Sequence, residues 1–476
     1  MPSKKNNSKE KAKPVEALSE SEKNLDGELD NENFTKDLLK ALAPPTFKSS
    51  IDYFAKSMEA FHESLPNQMG YLAYSRDRKS KRLVTLAKNY GNVVEATSDK
   101  PEEVNFPLHI ASIANRFYRG VENLDRALEL VPRSFLMTIV SQYDAFLSQL
   151  ITAMYYAKPE MLSGSDKRLS FSELIDFGSI DKARSYIIEK EAEGLLRESH
   201  AKQFEILESK LNISLRKRLD IWPKFIEITE RRNLFTHTDG IVSTQYIAVC
   251  KAHSVKFNDD IILGNKLKLS REYCTHAYEV LFEIGVKLGN TIWRKLLPDE
   301  LEEADNSLNT ICYDLLLRKE YKLAQSLLDY AVDLPNPFSE QYRRMFVINR
   351  AQAYKYDGKV ELAKSIIDSE DWSSCSKVFE ICLSALADDH KKTAKIMLSL
   401  KESPEIGKHG YLTWPIFKTF RESEEFIETY KLTFGEDYIS SDAIENEILA
   451  KDIMEIKDQI RSKTSPKSKK ASVKKE

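Results

Sequence analysis

Arg232-Asn233-Leu234-Phe235-Thr236-His237 brings a guanidinium, a carboxamide and an imidazole into one short segment. Histidine titrates near neutral pH and arginine keeps a permanent planar charge, so the pair has the parts for proton transfer beside a crowded phosphate. Spacing alone does not single it out. With 22 arginines and 8 histidines in 476 residues, an arginine followed by a histidine at any of three neighbouring spacings arises about once by chance. The chain holds a rival of the same length, Arg271-Glu272-Tyr273-Cys274-Thr275-His276.

Helical geometry separates the two. At about 100° per residue, Asn233 lies about 100° and His237 about 140° around a helix from Arg232, and Phe225, Trp222 and Ile226 fall on the same arc at about 20°, 80° and 120°. Leu234, Phe235 and Ile228 cover the other side, so this helix is apolar nearly all round. Trp222, Phe225 and Ile226 are the residues expected to bury against a second copy, giving a two-fold homodimer with a composite site. The rival sits differently: Ser270 reads as an N-cap, which puts Arg271 in a first turn where Glu272 partly neutralises it.

The motif helix is expected to start near Pro223 and stop at Thr238-Asp239-Gly240, where glycine supplies a left-handed end. A second helix is predicted to begin at Pro132, a residue suited to a first helical turn. It carries Phe135, Ile139, Tyr143, Phe146, Leu147, Leu150 and Met154 at core spacing. Asp144 within it is the candidate for orienting Arg231 or Arg232, because an acid among such residues is costly to bury unpaired; the alternative is an Asp144 that faces solvent.

The predicted class is all-α, in six stretches. Residues 1–33 are polar and lack apolar periodicity, a pattern of disorder. Residues 34–104 form a helical N-terminal extension that includes the basic run Arg76-Asp77-Arg78-Lys79-Ser80-Lys81-Arg82, read as an exposed loop or helix face. Residues 105–290 form a helical domain. After Pro298 the pattern becomes helix pairs over 300–402, with a C-terminal helical cap over 403–460. From Arg461 to Glu476, seven basic residues against one acid make a basic disordered tail, either solvated or weakly attracted to a polyanion.

A net charge of −3 does not mark the whole chain as a nucleic-acid binder, so any RNA contact must be local. Cys250, Cys274, Cys312, Cys375 and Cys382 are widely spaced and form no C-x-x-C pair, which indicates neither a disulfide framework nor a zinc site. No signal peptide or membrane span is read, so the expectation is a cytoplasmic protein. No Gly-rich phosphate loop or other cofactor motif is evident, and no cofactor or metal is expected.

The segment Phe225 to Val242 resembles HEPN domains of bacterial defence and toxin-like proteins. That resemblance covers roughly residues 105–290 and is specific around 130–160 and 222–250. It implies an up-and-down helical bundle, two protomers paired around their motif helices, and metal-independent cleavage of RNA. Carried over by position, Arg232 and His237 are the catalytic pair and Asn233 the accompanying polar residue; Arg231, six positions before His237, also fits the spacing, so which arginine faces the phosphate stays open. Region 300–402 resembles tetratricopeptide-type repeats. Small Ala324, Ala363 and Ala394 recur where paired helices approach, although they stand 39 and 31 residues apart rather than at one fixed period.

Two functions compete. One is an endoribonuclease of HEPN type, regulated through its second half by a trigger or a protein partner, of the kind found as toxins or anti-phage effectors. In it His237 moves a proton at the ribose 2′-hydroxyl or the leaving 5′-oxygen, and a cyclic phosphate results. The other is a non-catalytic interaction or nucleotide-binding scaffold whose helix-pair surface does the work.

Overall fold

A computed structural model of the chain describes residues 43–94, 103–164, 168–217, 219–257, 261–401 and 406–440, with isolated positions between 443 and 454. The predicted tails 1–33 and 461–476 lie outside the described residues.

The first described helix, α1 (Phe47–Tyr90), opens on a reciprocal cap in which Thr46 and Ser49 each satisfy the other's backbone N–H. Its partner α2 spans Leu108–Ala157. That corrects the predicted start at Pro132, which sits inside the helix. A proline there removes one hydrogen bond at a cost of about 3 kcal/mol, but α2 runs antiparallel to α1, and lateral packing sustains a helix that its local sequence would interrupt. Pro66 stands inside α1 in the same way. Contacts between Arg76 and Asp125, Lys79 and Gly120, and Arg82 and Phe117 set the register of the pair. That register puts Pro66 and Pro132 at nearly the same level.

Those prolines divide the hairpin. In α1 the buried residues run from Phe47 to Leu65 and then stop; in α2 they begin at Pro132, apart from Ala114. Residues 66–90 and 108–131 therefore form an arm with little core of its own, and the basic run lies on a helix face there. Short strands β1 (Asn92–Val94) and β2 (Glu103–Asn105) pair antiparallel at its tip. They are an exception to the otherwise all-helical class.

Below the arm, Phe54 of α1 and Phe146 of α2 stack with ring centroids 4.4 Å apart. Helix α8 (Arg271–Leu296) closes over them. Glycines at 285 and 289 permit that approach, since a side chain there would strike Phe54 and Ile51. The first part of the predicted extension thus belongs to the central core. Around it pack α4 (Ile180–Leu196), α5 (His200–Leu211), α6 (Trp222–His237) and α7 (Thr244–Ala252), while the exposed α3 (Phe171–Phe177) lies against α4.

Beyond Pro298 the chain folds into successive helix pairs: α9 (Leu301–Leu317) with α10 (Tyr321–Val332), α11 (Glu340–Tyr356) with α12 (Val360–Asp368), and α13 (Lys377–Leu386) with α14 (His390–Ser399). Ala324, Ala363 and Ala394 are all buried on the second helix of a pair. The segment after them holds α15 (Lys408–Thr413), α16 (Lys418–Arg421) and α17 (Glu424–Phe434). One hydrophobic core runs without a break from Phe47 to Ala353, so the expected boundary near 290–300 does not interrupt it. A second core joins Val347 to Tyr430. No helix among the described residues is long and apolar enough to cross a membrane.

Candidate functional site

Helix α6 ends as its sequence suggests. Thr238 and Gly240 both return their N–H to Leu234 O, at 2.8 and 3.0 Å. Gly240 is left-handed with φ 82°, and a Cβ there would stand 2.5 Å from the Phe235 ring. Buried Arg133 of α2 donates to Asp239 at 2.6 Å and lies over Phe235. Asp239 also pairs with Lys266, while Leu267 N–H donates to Gly240 O at 2.9 Å. The helix end that carries His237 is therefore clamped from two sides.

Neighbouring arginines on α6 part company. Arg231 is buried and its Nε donates to Glu227 Oε1 at 2.6 Å; Glu227 also accepts from Tyr246 at 2.6 Å and Tyr273 at 2.8 Å. The guanidinium lies 4.3 Å from the Tyr273 ring centroid. Burial works against its charge, yet Tyr273, Glu227 and Tyr246 hold its pKa above the ordinary value. Arg231 is committed to the fold. Arg232 instead turns to α2, where its Nη2 donates to Asp144 Oδ2 at 2.9 Å, and its buried Nε has no partner among the described residues.

Asp144 bridges two helices. Its other oxygen, Oδ1, meets His200 Nε2 at 2.9 Å, and His200 is the first residue of α5, which Ser199 caps. Sequence reasoning assigned His200 no role, since nothing in the spacing from 144 to 200 announces the contact. A further acid, Glu230, lies beside this trio: burial raises its pKa, while His200 and Arg232 draw it back down. Asn233 donates to Glu230 at 3.4 Å rather than to His237. The result is a half-buried polar cluster of Asp144, His200, Glu230, Arg232 and Asn233.

His237 stands apart from that cluster. It is exposed, and no hydrogen bond joins it to Arg232 or Asn233. Within one chain the two expected catalytic residues do not meet. The rival pair is no better placed: Arg271 is exposed at the start of α8, and His276 faces Glu279 at 3.6 Å.

The apolar part of the motif arc does not await a second copy. Phe225 and Ile226, expected at a dimer interface, are 0% and 2% exposed inside the protomer. Phe225 meets Tyr143, Phe204 and His200 edge-on, so neighbouring helices of the same chain cover it. Trp222 is half-buried, packs on Phe204, and sends its Nε1–H to His253 Nδ1 at 3.3 Å.

Among the described residues no group of three or more His, Cys, Asp and Glu could hold a metal ion. A cavity of about 780 Å³ lies elsewhere, between α9, α11, α13 and the turn at Trp414. Its wall includes Gln352, 1% exposed, whose Nε2 has no partner among the described residues. No protein family, curated protein or solved structure matches this chain.

Proposed function

We propose that the chain is an endoribonuclease of HEPN type, acting on RNA in the cytoplasm without a metal. The observation that carries this reading is the Arg232–Asp144 pair at 2.9 Å on a helix whose last residue, five positions on, is an exposed His237. Asp144 fixes the direction of the guanidinium and leaves it able to meet a phosphate. The 2′-oxygen attacks phosphorus, the bond from phosphorus to the 5′-oxygen breaks, and a cyclic phosphate remains. His237 moves a proton at one of those two oxygens, and Arg232 answers the charge that gathers on the phosphate.

Since Arg232 and His237 do not meet in one chain, a second copy related by a two-fold axis completes the site, with the exposed end of α6 as its meeting surface. The helix pairs after Pro298 act as tetratricopeptide-like repeats that receive a trigger or protein partner, as suits a toxin or defence effector. Purified protein incubated with total RNA in EDTA tests the reading. Arg232→Ala and His237→Ala should abolish cleavage, Arg271→Ala and His276→Ala should not, and circular dichroism should show all four folded. Equal activity in the four proteins would sink it.

A second reading, a scaffold without catalysis, draws its support from the 780 Å³ cavity with its unpartnered Gln352. It predicts intact RNA in every lane.

A further inference from the structure

The part of the arm that belongs to α1, residues 66–90, carries Arg76, Arg78, Lys79, Lys81, Arg82 and Lys88 against the single acid Asp77. That is a formal excess of +5 in a chain whose net charge is −3. Two of the six are committed: Arg76 to Asp125 at 2.9 Å and Lys81 to Asp77 at 2.7 Å. Arg78, Lys79, Arg82 and Lys88 have no carboxylate partner among the described residues, and Arg82 lies over the Phe117 ring.

Exposed rings share this surface. Tyr71 and Tyr74 are 71% and 64% exposed. A solvated helix face needs charge to stay in water, but it gains nothing from a row of aromatic rings. Tyr74, Asp77, Arg78, Lys81, Arg82 and Phe117 line a shallow groove of about 550 Å³. Cations spaced along a rod neutralise phosphates, and open aromatic faces stack bases that are not already paired. A duplex would engage the cations and leave the rings idle. An anionic membrane would call for a continuous apolar face of Trp, Phe and Leu beside the cations, where this surface offers tyrosines.

We propose that the arm is a sequence-tolerant docking track for single-stranded nucleic acid. The inference stands whether or not α6 cleaves RNA, because it is read on a strand that cannot be cleaved through a 2′-hydroxyl. Full-length protein is titrated into a fluorescent oligothymidylate of about 16 nucleotides, and anisotropy is followed from low to high salt. Affinity should fall as salt rises, by about 0.7 in the logarithmic slope for each phosphate contact.

The triple variant Arg78→Gln, Arg82→Gln, Lys88→Gln should flatten that slope by about two. Tyr71→Ala with Tyr74→Ala should weaken binding about thirtyfold or more while keeping the slope, as loss of two stacked bases does. All these positions are exposed, so circular dichroism should not change. Wild-type affinity in the triple variant overturns the proposal. So does a tyrosine variant that binds as tightly as wild type, or tighter binding to a duplex or to phosphatidylserine vesicles than to the single strand.

Discussion

Arg232 and Asp144, 88 positions apart in sequence, meet at 2.9 Å, and the same carboxylate holds His200 at 2.9 Å through its second oxygen. One acid therefore sets the direction of a cation from α6 and an imidazole from α5. Arg231, one residue away, takes no part in this and serves the core.

Asp144→Ala should loosen both partners. The Asp144 side chain is 31% exposed, so solvent screens the pair, and the expected loss is about 1–2 kcal/mol in urea unfolding. RNA cleavage should fall by far more than stability does. Asp144→Asn keeps one acceptor and should lie between. If cleavage by Asp144→Ala matches wild type, the orienting role is wrong.

Arg231→Ala and Arg232→Ala should separate structure from chemistry. Removing Arg231 leaves Glu227 buried without its cation, a change expected to cost about 3–5 kcal/mol and visible as a large drop in Tm. Arg232→Ala should stay folded with a modest drop. Equal melting of the two variants would contradict the division of labour between them.

Glu230 gives a pH signature. Burial raises its folded pKa above the unfolded value, so its ionisation is harder in the native state. Its contribution to stability is complete below the ordinary carboxylate range and is lost as pH rises through the folded pKa. Glu230→Gln, neutral at every pH, should match wild type near pH 3 and exceed it near pH 7 (both approximate). Denaturant titrations at the two values check this; a variant weaker than wild type at neutral pH has the sign reversed.

Truncation after Leu297 should not yield a folded first half. Ala304, Leu308, Ile311, Cys312 and Leu315 lie in the same core as Phe54 and Tyr143, and their removal uncovers α8. The expected product is aggregated or partly unfolded, as seen by sedimentation and near-ultraviolet dichroism. A soluble, cooperative fragment would mean that the continuous core is dispensable.

Much of this was legible in the chain. Near-continuous apolar content marked α6 as a buried helix, Gly240 marked its end, and three alanines marked the helix pairs. Proline was misleading at 132, because local propensity cannot register a neighbouring helix that holds the chain helical through the break. The arc from Trp222 to His237 told which residues share a face but not what covers them, and Phe225 and Ile226 turned out to be covered from within. His200 carried no signal at all: its meeting with Asp144 depends on where α5 lands on α2.

The two prolines at nearly the same level of the hairpin also have a mechanical meaning. Each withholds a donor from its own helix, at the carbonyls of His62 and Leu128, and the two gaps coincide along the hairpin. Elsewhere both helices of the arm resist bending with their ladders of hydrogen bonds. Compliance is thereby concentrated in a single flexure at the base, with a stiff lever beyond it of about 36 Å, counting some 24 helical residues at 1.5 Å each. A rotation of about 10° at that flexure carries the tip roughly 6 Å, about four times the helical rise per residue.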